Sequence, residues 1–260
     1  MIKLPPRIAI EPEMNFVVQQ LGGTLVADLV RDRSPQFANA DYWFERDNVI
    51  VELKCLSDDK TYDPQLRRAL NKLFDSFIDS ARIPDPGPGV FRVNSKNMPL
   101  DFQRQLYRLL ARSIKRRFRK ANQQIKQTRE LLGRHDAYGL VLLANDGNYR
   151  LEPAQLMYAV DTALSRDFSA IEGLVVFTVN LLSTGPGIEP YASHANVWIP
   201  ASRDRHRDLP DPFIERFFEA WVRHLRDLIG EKIPVLRDRE HSELEHWRYD
   251  QRLCRSRRHK

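Results

Sequence analysis

Cysteine is scarce in this chain: Cys55 and Cys254 are the only two in 260 residues. They lie far apart and in no metal-ligand spacing, which argues against a disulfide framework and a cysteine-held zinc site. Free thiols in a reducing compartment are expected instead. Long apolar runs are missing as well. No stretch approaches the roughly 20 apolar residues that a membrane-spanning helix needs. The opening residues, MIKLPPRIAIEPEMNF, hold no run of signal-peptide length. The expectation is a cytoplasmic protein without a membrane partner. The histidines do not converge. His241 and His246 are five apart, His135, His194 and His206 are isolated, and H-E-x-x-H does not occur. STGPG (183–187) lacks the lysine of a phosphate-binding loop, and G-x-S-x-G and dinucleotide fingerprints are absent.

What is present is an apolar fraction of 42%, enough for a core, and a net charge of +6. A basic balance favours anionic partners such as nucleic acid and says nothing about fold. EPEMNFVVQQLGG (11–23) reads as a short amphipathic helix, with Phe16, Val17 and Leu21 at helical spacing and a glycine pair at its end. TLVADLV (24–30) reads as a first strand. DYWFER and VIVELKCL flank Asp47-Asn48, so residues 41–56 read as a hairpin. LRRALNKLFDSFIDSA (66–81) is helical in period, and the breaker-rich IPDPGPGVFRVNSKNMP reads as a loop. A long helix follows over about 101–133, then a buried strand YGLVLLAN (138–145), a helix over 151–166, a second buried strand IEGLVVFTVN (171–180) and a last strand in ANVWIPAS. From Pro212 to about Ile229 a helix carries Phe213, Phe217, Trp221, Leu225 and Leu228 along one stripe, which is expected to face the core. This order predicts an α/β fold with a mixed sheet.

The hairpin carries the chemistry. A two-residue turn at Asp47-Asn48 would pair Arg46 with Val49, Trp43 with Glu52 and Asp41 with Lys54. Side chains alternate faces along a strand, and directly opposed residues share a face. Asp41, Glu52 and Lys54 then meet on one face, while Val49, Val51 and Leu53 point to the other. Charges on a sheet face are costly unless paired or metal-bound. One reading is an Asp–Lys ion pair at a sheet edge. The other is a site for a hard cation such as Mg²⁺, which leans on one or two carboxylates, water and substrate phosphate. A lysine beside it can orient a water or offset developing negative charge.

Asp41…Glu52-Leu53-Lys54, in a hairpin preceded by a helix, resembles the signature of the PD-(D/E)XK nuclease superfamily. The resemblance implies a restriction-endonuclease-like αβββαβ core with a mixed central sheet, a helical insertion and a helical C-terminal extension. The core would be 1–56 with 101–200, the insertion 57–100, and the extension 201–260 with a basic tail. By the same resemblance Asp41, Glu52 and the Leu53 carbonyl are metal ligands for Mg²⁺, with Mn²⁺ able to substitute. Lys54 is the catalytic lysine. Glu13 is the first-helix glutamate, with Glu11 the alternative. Gln124 is the polar residue of the helix after the E-x-K strand, with Gln127 the alternative. Ala40 stands where the signature proline would be, and the gap between Lys54 and Gln124 is longer than a minimal core needs.

FQRQLYRLLARSIKRRFRK (102–120) holds Arg104, Arg108, Arg112, Lys115, Arg116, Arg119 and Lys120, and no acid. Leu106, Leu110, Ile114 and Phe118 form its apolar stripe. Like charges four apart repel, and a phosphate backbone is an obvious counter-ion. The alternatives are a solvated face or pairing with the acids of 58–85. The expected function is a metal-dependent nuclease, with DNA ahead of RNA as substrate, in restriction, phage defence or repair, acting as a homodimer or with a partner subunit. The second reading is a non-catalytic nucleic-acid-binding or scaffold subunit on the same fold.

Overall fold

A computed structural model of the chain describes residues 7–30, 38–56, 64–87, 97–146, 156, 160, 168–180, 198–202 and 210–230. In chain order the elements are α1 (Ile10–Gln20), β1 (Thr24–Leu25), α2 (Val26–Leu29), β2 (Tyr42–Phe44), β3 (Val49–Cys55), α3 (Pro64–Asp79), α4 (Leu100–Leu132), β4 (Tyr138–Asp146), β5 (Gly173–Val179), β6 (Trp198–Ser202) and α5 (Asp211–Ile229). The chain divides into two compact units. The first is 1–58, 117–149 and 166–236; the second is 59–116, 150–165 and 237–260. The boundary falls inside α4, a single helix of 33 residues.

The first unit is built on a six-stranded mixed sheet in the order β1-β2-β3-β4-β5-β6. β1 pairs with β2 and β2 with β3 antiparallel, β3, β4 and β5 are mutually parallel, and β6 returns antiparallel. β4 and β5 are buried at every position. That is why their sequences read as unbroken apolar runs: a central parallel strand is covered on both faces. On one face, Val49, Val51 and Leu53 join Leu140, Leu142, Val175 and Phe177 in a core completed by Met14, Val17 and Val18 of α1. Phe213, Phe217, Trp221 and Leu225 of α5 close the same core. Burying four such side chains contributes on the order of 8 kcal/mol before entropy is charged against it. The segment 201–260, expected as an extension, thus supplies part of the main core through α5. Leu228, expected on the same stripe, is exposed. α5 ends where Gly230 turns left-handed (φ 72°) and its N–H bonds Arg226 O at 2.9 Å.

The opposite sheet face meets the second half of α4. Ile125 lies against Gly139, whose place on that face would not admit a side chain: an added Cβ would stand 1.9 Å from the Ala170 carbonyl oxygen. The stripe buried by α4 is Tyr107, Ala111, Ile114, Phe118, Ala121, Ile125 and Thr128. Its three- and four-residue steps alternate, whereas the expected stripe, Leu106, Leu110, Ile114 and Phe118, kept to steps of four. At 3.6 residues per turn a row of fours drifts around the helix, and Leu106 and Leu110 end up half-buried.

The second unit has its own small core of Leu73, Phe77, Ile83 and Phe102, from α3 and the start of α4. The Phe102 ring takes the edges of Phe74 and Phe77 at centroid distances of 4.8 and 5.2 Å. Arg82 pairs with Asp101 at the first turn of α4 and stacks over the Phe77 ring. Two local expectations change. Residues 26–29, expected as strand, form α2. The helix expected over 151–166 lies outside the described residues except for Leu156 and Val160, which are helical and buried. No described helix is long and apolar enough to cross a membrane.

Candidate active site

The hairpin forms, with a longer turn than the sequence suggested. β2 pairs with β3 through Tyr42–Val51, Trp43–Ile50 and Phe44–Val49. Residues 45–48 make the turn, and Asn48 N–H bonds Glu45 O at 3.2 Å. A two-residue type I′ turn needs positive φ at both central residues. Asn48 supplies it (φ 53°), and Asp47 does not. The register therefore slips by two residues, which places Asp41 across from Glu52 rather than Lys54. A slip of two keeps every side chain on its face, so Asp41, Glu52 and Lys54 still converge.

The convergence is tight. Lys54 Nζ donates to Glu52 Oε1 and to Gln124 Oε1, the latter at 3.1 Å. The Asp41 and Glu52 carboxyl groups lie within hydrogen-bonding reach of each other. Asp41 Oδ2 accepts the Leu53 backbone N–H at 2.7 Å. That bond has a topological origin. β2 begins only at Tyr42, so beyond Val51 the edge of β3 has no strand partner on that side. In a strand the N–H and C=O of one residue point the same way, so the Leu53 carbonyl opens toward the Asp41 edge as well.

Glu52 is fully buried, and its Oε2 has no hydrogen-bond donor among the described residues. Burial and the neighbouring Asp41 charge push its pKa up to about 8. Burial also raises Asp41, against the Leu53 N–H and the Lys54 charge. Near neutral pH the pair is thus short of one positive charge, and Glu52 holds a proton in its place.

Gln124 is the α4 glutamine brought to this group. Its amide is used twice, since Nε2 donates to Asn39 O at 2.7 Å while Oε1 faces Lys54. Gln127 is half-buried one turn-step further on. Of the two first-helix glutamates, Glu11 comes to the group and Glu13 does not. Glu11 lines a cleft of about 540 Å³ together with Asn15, Asn39, Asp41, Tyr42 and Leu53, and its charge is felt at Asp41. Glu13 instead bonds His224 Nε2 of α5 at 2.6 Å. The reason is helical phase: two residues turn the side chain by about 200°, which carries Glu13 around to the α5 side.

Thr128 escaped the sequence reading. Its hydroxyl, fully buried, accepts the Ala40 N–H at 2.8 Å. The available signal was its position four residues after Gln124, on the same helix face. Of the basic row, Arg108, Arg112, Arg116, Arg119 and Lys120 are exposed, and among the described residues none of them makes an ion pair. Arg104 and Lys115 are half-buried, and Lys115 is engaged. Arg82 and Asp101 pair with each other, so Asp101 does not neutralise the row.

The donor set suits a hard divalent ion. Among the described residues no three His, Cys, Asp or Glu side chains gather at one point. Mg²⁺ asks for no more than one or two carboxylates, with water and phosphate completing its shell. Asp41, the unpartnered Glu52 Oε2 and the Leu53 carbonyl meet that need. Comparison with protein-family models, curated proteins and solved structures gave no match.

Proposed function

We propose that this chain is a metal-dependent nuclease that hydrolyses phosphodiester bonds, with DNA as the first expected substrate and restriction, phage defence or repair as its setting. The observation that carries the reading is the buried Glu52 carboxyl, short of a donor, set beside Asp41 and Lys54. A structural ion pair needs one acid and one base. Here a second acid stands at the same point: burial raises both carboxyl pKa values, and the Asp41 charge raises Glu52 further, a cost in stability that is sensible where a cation is to be held. With α2 interposed after β1 and α3 before α4, the elements α1, β1, β2, β3, α4 and β4 follow one another in the order that an αβββαβ core would have, which supports this reading.

Asp41, Glu52 and the Leu53 carbonyl would hold Mg²⁺ or Mn²⁺, which when bound polarises a phosphate and acidifies a water. Lys54, held by Glu52 and Gln124, would offer an ammonium to the negative charge that develops on the phosphate oxygens. Gln124 fixes that ammonium against rotation about its four-carbon stem. Burial of Glu52 keeps bulk water from screening these charges. The exposed arginines of α4 fit a phosphate backbone, binding without reading sequence.

The test is cleavage of supercoiled and linear DNA in Mg²⁺, Mn²⁺ or EDTA by wild type, Asp41→Ala and Lys54→Ala. Metal-dependent cutting lost in both variants is expected. Salt-sensitive DNA binding with no cutting in any metal would sink the nuclease reading and leave a binding subunit.

A further inference from the structure

Asp41 stands just before β2, outside the strand ladder, with its carboxylate on the Leu53 N–H. The peptide leading into it is gripped from α4 at two successive turns. Gln124 Nε2 donates to the Asn39 carbonyl at 2.7 Å, and Thr128 Oγ1 accepts the Ala40 N–H at 2.8 Å. The Ala40 carbonyl side leads directly to Asp41, whose own carbonyl accepts the Val26 N–H at 3.0 Å. Three consecutive residues are thereby tied to α4 or α2. Ala40 and Thr128 are both buried, so water does not compete for that bond. A proline at position 40 would carry no N–H to donate; Ala40 provides one, and Thr128 takes it.

We propose that Thr128 is a positioning residue for Asp41: its hydroxyl holds the Ala40 peptide and through it sets where the Asp41 carboxylate stands against Glu52 and Lys54. The inference rests on the functional reading above, because the position of Asp41 matters only if it holds a cation.

The test is a series at one position, Thr128→Ser, Thr128→Cys and Thr128→Val, read by Mn²⁺ titration of the free protein and by kcat and KM on DNA. Serine keeps the hydroxyl and loses a methyl; valine keeps the shape and loses the acceptor. If the hydrogen bond positions Asp41, function follows acceptor strength: serine near wild type, cysteine lower, valine lowest. Valine is then expected to weaken Mn²⁺ binding about tenfold, the scale seen for partners that orient a metal ligand. It should lower kcat by up to about a hundredfold, as for a misplacement near 1 Å, with KM little changed. If function follows shape instead, with valine best and serine worst, Thr128 is only packing and the proposal falls. Serine against cysteine decides the order even where valine does not fold. Wild type that binds no Mn²⁺ overturns the functional reading and this role with it; wild type that binds while valine binds equally well overturns this role alone.

Discussion

Replacing Glu52 by glutamine should make the metal-free protein more stable at alkaline pH while removing the proposed metal site. The side chain ionises near pH 8 in the folded state, against an ordinary value of 4.5, because it is buried beside Asp41. A raised carboxyl pKa means that the folded state binds more protons than the unfolded chain across that window. Its contribution is whole below about pH 4.5 and is lost as pH rises toward about 8. At 1.36 kcal/mol per unit, the loss between about pH 5 and about pH 8 is about 3 kcal/mol. Glutamine imitates the protonated acid, since it accepts from Lys54 and donates to Asp41 at any pH. In EDTA, Glu52→Gln should therefore melt on the order of 10 °C above wild type at pH 8 and close to it at pH 5. Mg²⁺ should raise the wild-type melting temperature at pH 8 and leave the variant unmoved. Scanning calorimetry over pH, with and without Mg²⁺, reads both effects. Parallel melting curves for the two proteins across the whole range, or a variant less stable at pH 8, would refute the claim that the site is held under electrostatic tension.

Three further outcomes are expected. Replacing Arg108, Arg112 and Arg116 together by alanine should lower the slope of log affinity against log salt by about 3, with kcat at saturating DNA unchanged; fluorescence anisotropy at several salt concentrations measures it, and an unchanged slope would detach the row from nucleic acid. Glu11→Gln should weaken Mn²⁺ binding, while Glu13→Gln should leave it intact and disturb only the His224 contact; a titration showing the reverse order would return Glu13 to the site. Gly139→Ala should cost about 3 kcal/mol in urea denaturation, since its Cβ would overlap the Ala170 carbonyl oxygen; a loss under 1 kcal/mol, on the scale of a tolerated core swap, would show that the β5 approach is soft.

The parts of this molecule that were legible in the sequence are those set by a local period. Alternation put Glu52 and Lys54 on one face and Val49, Val51 and Leu53 on the other, and that follows from pleating alone. Unbroken apolar runs marked β4 and β5, because both faces of these strands are covered. The stripe from Phe213 to Leu225 gave α5 its buried face, yet nothing local said that this face closes the main core. Turn length was less accessible, since Asp47-Asn48 suits a tight turn and only the φ values decide. The choice between Glu11 and Glu13 depended on the phase at which α1 meets α5. Thr128 went unread because its partner is a backbone N–H 88 positions away, and a backbone group leaves no mark in a sequence.

The slip in the hairpin has a consequence for loop engineering and for natural length variation. Faces along a strand repeat every second residue, so the face that carries Glu52 and Lys54 responds to the parity of a register shift. Inserting or deleting two residues between Phe44 and Val49 shifts the pairing and returns Asp41 to the same side as Glu52. A one-residue shift in register would instead send it through the sheet into the apolar core under α1. Related chains with this hairpin should accordingly keep its register to even steps, with odd changes in length absorbed in the turn or in a bulge.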